Sequence, residues 1–293
     1  MWFIFALATG LIYAIYYICN QESKLNSNMF IIYRGLLMAL AATPFALFFW
    51  HIFPWQFYAI ALCQGFVISY SDAQYFKVFQ KFGAENVNAI KPLTIMVTFI
   101  FWLIIDPSII FYYLSVPVRT LIILASLGAI IFAVIKYQGQ KIGADCLKYV
   151  VPLLILTSII DTSNKVITRY SEGYLLSLTI HRVVITGYII GLINLWKNRT
   201  DTKLLKQLVQ LKNIRSGSFV LLGILSMMSV NLSMHYTPNP AYTSAVIHLS
   251  VIWIMLINNL RAHLGFKVKH KPIKRRWILL LLSGAISLIL VTN

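Results

Sequence analysis

The chain has 293 residues, 59% of them hydrophobic and 11% charged, with 25 Lys and Arg against 8 Asp and Glu for a formal net charge of +17. A soluble domain carries roughly a quarter charged residues and under half apolar ones, and a globule of this size has too little interior to hide so much apolar surface. These figures exclude a water-soluble globule, a disordered chain, a disulfide scaffold and a coiled coil. In a bilayer the positive charge belongs to basic loops flanking the spans, so nucleic acid is not an expected partner.

A membrane-crossing helix needs about 20 mostly apolar residues. Ten such runs follow one another, at 2–20, 29–50, 55–76, 86–105, 116–135, 148–168, 174–196, 217–236, 241–261 and 276–292. The first has no basic stretch before it and no small-residue cleavage site at its Tyr-rich end, which predicts a retained helix and not a signal peptide. Its stripe of Tyr13, Tyr16, Tyr17 and Asn20 suits either a binding cavity, through flat apolar rings with hydroxyls, or interfacial anchoring. The second run opens with Arg34, whose forked donors suit a carboxylate or phosphate clamp or snorkelling to headgroups. The third ends in Asp72, Tyr75, Lys77 and Lys81 before a turn at Gly83, and the spacing predicts that Asp72 and Tyr75 meet Lys91 across that turn.

The sixth run is the most informative. Thr157, Asp161, Asn164, Lys165 and Thr168 follow helical i, i+3, i+4 spacing and line one face, and Asp161 is one turn from Lys165, close enough for an internal ion pair. Ionisable groups in hydrocarbon cost roughly 2.5–3.5 kcal/mol each on insertion scales, so they face a cavity or a partner. Cavity lining and structural pairing are compatible readings here. The seventh run carries His181 and Arg182, which with Lys165 favour a polar cavity. The eighth carries Asn231 and His235. The ninth carries His248, a packing residue or a proton carrier, at the place where Pro92 stands in the first half. Cys19, Cys63 and Cys146 are isolated and behave as small apolar residues. No His/Cys/Glu cluster has ligand spacing, and there is no Walker, Gly-x-Ser-x-Gly or dinucleotide motif. No metal, no cofactor and no enzymatic activity are expected.

The cations alternate. Twenty of the 25 lie in or beside the odd-numbered connections, and only Arg119 and Arg169 in the even ones. The positive-inside rule then puts the odd connections in the cytoplasm and both termini outside. The halves also show weak self-similarity. At an offset of 148, Thr9 meets Thr157 and Arg34 meets Arg182. At 156, Ala89-Ile90 meets Ala245-Val246 and Gly128-Ala129-Ile130 meets Gly284-Ala285-Ile286. The added residues fall in the basic 197–215 connection, where a length change costs least. Because five spans are an odd number, the second copy enters the membrane from the opposite face. The expected fold is an all-α integral membrane protein of ten transmembrane helices in two inverted five-helix repeats, 1–146 and 147–293, with cargo at the midplane.

With these features in hand, the chain resembles the drug/metabolite transporter superfamily, in particular its EamA-like branch. The likeness rests on the five-plus-five spans, Arg34 and Arg182 early in the second helix of each half, Pro92 within Ala89-Ile90-Lys91-Pro92, and Gly-Ala-Ile in the last helix of each half. The acidic residue that often ends the fourth helix is at best Asp106 here and absent near Asn258. The resemblance implies termini in the cytoplasm, opposite to the charge bias. It implies a secondary transporter working by alternating access, multi-pass in a bacterial inner (plasma) membrane, with the bilayer, a small-molecule cargo and protons or an exchanged metabolite as partners.

The interior set Arg34, Lys91, Lys165 and Arg182 against Asp72 and Asp161 is net positive, which favours anionic or zwitterionic metabolites, such as amino-acid-like compounds, over cationic drugs. The expected cargo contacts are Tyr13, Tyr16, Tyr17, Asn20, Asp161, Asn164, Lys165, His181, Arg182 and His248, with Arg34, Asp72 and Lys91 gating or relaying charge. Two rivals remain open: a polytopic membrane enzyme acting on lipid-linked substrates, and a non-transporting membrane scaffold.

Overall fold

The computed structural model describes residues 1–23, 25–82, 90–138, 144–265 and 275–292. The turn at Gly83, the start of the 86–105 run and the basic positions Lys24, Lys141, Lys267, Lys269, Lys271 and Lys274 lie outside the described residues. Among the described residues the chain is all helical: α1 (Trp2–Ser23), α2 (Ser27–Phe48), α3 (Trp55–Phe82), a 3₁₀ turn at Lys91–Leu93, α4 (Thr94–Ile105), α5 (Ser108–Ser115), α6 (Pro117–Gln138), α7 (Ala144–Thr168), α8 (Leu175–Lys197), α9 (Thr202–Leu208), α10 (Leu211–Gly217), a second 3₁₀ turn at Ser218–Leu221, α11 (Leu222–Tyr236), α12 (Pro240–Ile247), α13 (Ser250–His263) and α14 (Arg275–Thr292).

Among the described residues, seven segments are long and apolar enough to cross a membrane: Trp2–Asn20, Ser27–Phe48, Pro117–Lys136, Asp145–Thr168, Leu175–Lys197, Leu211–Tyr236 and Pro240–His263. They match seven of the ten predicted runs. The other three differ for separate reasons. The 55–76 run is a 28-residue helix, α3, but Gln56, Gln64, Asp72, Gln74 and Lys77 dilute its apolar character. The described part of the 86–105 run, Lys91–Ile105, is short and makes a span only together with α5, from which it is separated by a bend of 110° just past the end of the run. The 276–292 run is apolar but short, Arg276–Thr292. Large apolar side chains cover the outer surface, including Leu40, Leu47, Phe66, Leu121, Phe132, Leu192, Leu279 and Leu290. Soluble monomers do not expose apolar surface on this scale, and the chain is a multi-pass membrane protein.

Local chemistry sets the helix ends. The Asn26, Asp201 and Asn239 side chains accept from Asn28 N, Leu204 N and Ala241 N, capping α2, α9 and α12. Pro107 and Pro117 stand just before α5 and at the first residue of α6, where a proline forbids continuation of the preceding helix. Gly173 has φ of 90°, which frees the α7–α8 turn from a steric penalty. α12 and α13 together make the Pro240–His263 span, broken at His248 and Leu249.

Two helix pairs form the bulk of the packing, α2 with α8 and α6 with α14. Both run antiparallel. Along the first, Asn28 Nδ2 donates to Asn198 Oδ1 at 3.0 Å, Gly35 packs on Gly187 and Gly191, the Thr43 and Tyr188 hydroxyls are 3.1 Å apart, and the Ser177 hydroxyl donates to the Phe49 carbonyl at 2.6 Å. Small residues four apart on each helix, Gly35 with Ala39 and Gly187 with Gly191, let the backbones approach closely, as membrane helices lacking a hydrophobic driving force between them require. Along the second pair, Arg119 Nε donates to the Val291 carbonyl and Phe132 packs edge-on against Trp277. Apolar clusters surround each pair: Phe30, Ile31, Met38, Ile180, Val183 and Ile190 about α2–α8, and Phe99, Ile123, Leu127, Tyr242, Leu281 and Leu288 about α4, α6, α12 and α14.

α1 packs on α11, α12 and α13, while α7 packs on α3 and α4. Polar groups collect on α8 and on α1, α3, α7, α11 and α12, outside the two antiparallel pairs.

Candidate functional site

Arg182 on α8 is 1% exposed. A guanidinium cannot shed its charge in a protein, and burying one demands that its donors be satisfied. Three amide side chains do this: Nε donates to Gln64 Oε1 at 2.8 Å, Nη1 to Asn231 Oδ1 at 2.6 Å, and Nη2 to Asn164 Oδ1. The amides are braced in turn. Gln64 Nε2 donates to Ser163 Oγ at 2.6 Å and to Asn164 Oδ1 at 3.0 Å, and Asn231 Nδ2 donates to Thr179 Oγ1 at 2.9 Å. α3, α7, α8 and α11 thus share one polar knot. Among the described residues no carboxylate stands within ion-pair distance of Arg182, so the amides solvate the cation without neutralising it.

Asp161 lies one turn from Asn164 on α7. Its Oδ2 accepts from the Ser244 hydroxyl of α12 at 2.8 Å. The Asp161–Lys165 ion pair predicted from their spacing is not formed. Lys165 Nζ donates to the His235 carbonyl at 3.1 Å, at the end of α11. Spacing put the two groups on one face, but the helices opposite that face offer each a nearer partner.

Tyr13, half-buried on α1, connects the charged groups: Arg34, Asp161 and Arg182 all lie within electrostatic reach of its hydroxyl. Tyr16 is close to Arg34 and Asp72, and its buried hydroxyl has no hydrogen-bond partner among the described residues. Arg34 Nη1 is ion-paired with Asp72 Oδ2 across α2 and α3. The Tyr75 and Thr157 hydroxyls are 3.1 Å apart, and Lys91 Nζ stands 4.9 Å from the centre of the Tyr75 ring; of the expected meeting of Asp72 and Tyr75 with Lys91, this is the Tyr75 part, while the ion-pair partner of Asp72 is Arg34. His248 lies at the α12–α13 break, within electrostatic reach of Lys91.

Three expected residues stand apart. Tyr17 is 41% exposed, and its ring contacts among the described residues are with Tyr13 and Tyr16. Asn20 is half-buried near the end of α1, and its carbonyl accepts from the Ser23 hydroxyl. His181 is buried at the other end of the bundle, 5.7 Å from the Trp50 and Phe53 rings. Its Nδ1 lies 2.9 Å from the Ser177 carbonyl, which requires the proton on Nδ1, and Nε2 is buried without a partner among the described residues.

Gln64 and Ser244 were not singled out by sequence reasoning. Their only signal was an amide and a hydroxyl inside apolar runs, where an unpaired polar group costs several kcal/mol and so requires a partner. A groove of about 580 Å³ exists elsewhere, lined by Val116, Arg119, Ile122 and Leu290. It is apolar, lies on the α6–α14 pair and includes none of the residues above.

No protein-family model matches the chain, and no curated protein does so at a meaningful level of similarity.

Proposed function

We propose that the chain is a secondary transporter of small anionic or zwitterionic metabolites, such as amino-acid-like compounds. It works by alternating access between two inverted halves, as in carriers of the drug/metabolite kind. The observation that carries this reading is the state of Arg182. A permanent cation is buried among neutral amides from both halves of the chain, with the Asp161 carboxylate near but unpaired to it. A structural arginine in a membrane protein is ordinarily given a carboxylate, because leaving the charge uncompensated is costly. A cargo carboxylate or phosphate would supply the missing charge, while Asp161, the Tyr13 and Tyr16 hydroxyls and Ser244 would take the amine or hydroxyls of a zwitterion.

The contacts between helices support the inverted arrangement. With equivalence at an offset of 148, Ala39 corresponds to Gly187, and these two residues touch where α2 crosses α8 antiparallel. At an offset of 156, Gly128 corresponds to Gly284, and Gly284 packs against Ser126, Ala129 and Ile130. Each pair is what a twofold axis across the helices produces. The remaining contacts obey the same exchange: α1 on α11 answers to α7 on α3, and α1 on α12 and α13 answers to α7 on α4. The helix breaks also correspond, since Pro92 in the first 3₁₀ turn maps to His248 in the second break. Broken helices at a repeat interface are where transporters bind cargo.

The test is counterflow of labelled amino acids, other carboxylates and phosphate esters in proteoliposomes, comparing Arg182→Ala and Asp161→Asn with the unaltered protein. Loss of counterflow in Arg182→Ala for the transported class is the expected result. Unaltered transport in both variants would remove these residues from the mechanism, and no counterflow with any member of the panel would return the chain to the enzyme or scaffold readings.

A further inference from the structure

The halves are tied together by two ion pairs, one at each end of the bundle. Glu22 Oε1 at the end of α1 accepts from Arg261 Nη2 at the end of α13. Asp106 Oδ2, just after α4, accepts from Arg169 Nη2, just after α7, at 2.6 Å. Of the other ion pairs among the described residues, Arg34–Asp72 stays within one half and Asp145–Lys148 joins neighbours three apart in the first turn of α7, at the boundary between the halves.

The two ties lie at opposite ends. Only three residues, 24–26, separate α1 from α2, so Glu22 is near the start of α2, which abuts the end of α8 through Asn28 and Asn198. Arg169 is instead near the start of α8. The 23 residues of α8 hold these ends about 34 Å apart, at 1.5 Å per residue.

The ties also correspond under the repeat. Position 22 maps to 170 at an offset of 148, and position 106 maps to 262 at an offset of 156. Each image falls one residue from an observed partner, Arg169 and Arg261, so the same two corners of the repeat are bridged at both ends. The signs are reversed: in one tie α1 contributes the acid, and in the other its counterpart α7 contributes the base. Chance surface pairing has no reason to select equivalent positions twice.

We propose that Glu22–Arg261 and Asp106–Arg169 are the paired gates of this protein, each closing one end of the route to the Arg182 site, with both closed in the structure described above. This rests on the transport reading and adds to it the residues that govern access. Partial exposure suits the role. Side-chain exposure is 23% for Arg261 and 56% for Glu22, and 48% for Arg169 and 27% for Asp106. Pairs this wet shift an equilibrium by up to about five-fold, enough to bias a gate and little enough to break in every cycle. Arg169 carries a second latch on the first half, its guanidinium carbon lying 4.9 Å from the centre of the buried Trp102 ring. The Asp106–Arg169 gate is therefore the tighter of the two.

The native Cys19 sits one turn before Glu22 and is half-buried, which makes it a reporter for that end once Cys63 and Cys146 are changed to Ser. Ser171→Cys, at a buried position two residues after Arg169, reports on the other end. With full-length protein in lipid nanodiscs and a soluble maleimide, Glu22→Gln is expected to speed Cys19 labelling by up to about five-fold and slow labelling at position 171. Arg169→Gln is expected to do the reverse, by a larger factor. The charge-swapped double variants, Glu22→Arg with Arg261→Glu and Asp106→Arg with Arg169→Asp, should return both rates toward the starting values. Rates that change at both ends together, that do not change, or that the swaps do not restore would overturn the gates. Labelling requires no cargo. Reciprocal labelling with no counterflow leaves the gates standing and removes the transport reading, whereas counterflow with unresponsive labelling removes the gates alone.

Discussion

Gly35→Ala probes the α2–α8 crossing directly. A Cβ at this position would lie 2.6 Å from Gly191 Cα and 2.7 Å from the Gly187 carbonyl oxygen. The backbone nitrogen of Gly191 would lie closer still; all three atoms are backbone, so no rotamer change relieves the contact, and the helices must part by roughly 1 Å to reach ordinary van der Waals separation. Overpacking of this kind costs about 1–3 kcal/mol. Exchanging glycine for alanine inside a helix returns about 0.5–1 kcal/mol through backbone entropy and propensity. The net expectation is a loss of up to about 2.5 kcal/mol. Gly128→Ala supplies the control, because nothing lies within 4 Å of a Cβ there and only the favourable term acts. Thermal denaturation in one detergent, read by tryptophan fluorescence, should therefore give shifts of opposite sign for one and the same chemical change. Equal shifts, or a Gly35→Ala protein as stable as Gly128→Ala, would show that α2 and α8 are not in backbone contact and would remove the main support for the proposed inverted arrangement.

Other outcomes follow from the site. Gln64→Leu strands one Arg182 donor and should cost about 1–3 kcal/mol; in the Arg182→Met background the same change should cost much less, and an equal cost in both backgrounds would break the proposed knot. Asp161→Asn and Lys165→Met should be additive in stability within about 0.5 kcal/mol because the two groups do not touch, and a coupling above about 1 kcal/mol would restore the ion pair suggested by their spacing. The Asp106 carboxyl is held below the usual carboxylate range, first by the Ser108 hydroxyl and then by Arg169. Since its folded pKa is the lower one, its stabilising contribution is full above the unfolded value and is lost as pH falls through the folded value. Unaltered protein should exceed Asp106→Asn by at most about 1 kcal/mol near pH 6 and converge with it below about pH 3. A gap in melting temperature that persists at the acid end would mean that residue 106 acts through shape and not charge.

The membrane class, the helical character and seven of the ten spans were legible in the residues alone, because each is a local or additive property. An apolar run long enough to cross a bilayer remains so whatever packs beside it. Thr157, Asp161, Asn164 and Lys165 share a face because 3.6 residues make a turn. The α3 run was read correctly as helix, although its polar residues keep it below the hydropathy of a typical span. Which partner each polar group takes was not legible. Asp161 has Lys165 four residues away, yet it is met by Ser244, 83 residues away. Arg182 draws on Gln64, 118 residues earlier, and Asn231, 49 later. Sequence spacing determines the side of a helix on which a group lies, but the rotation and neighbour of that helix depend on packing with the rest of the bundle. Antiparallel contact through Gly35 and Gly187 sets these for α2 and α8. The ties at Glu22 and Asp106 likewise emerge only when chain ends remote in sequence are brought together, because a charge outside a span has no periodic pattern to reveal its partner.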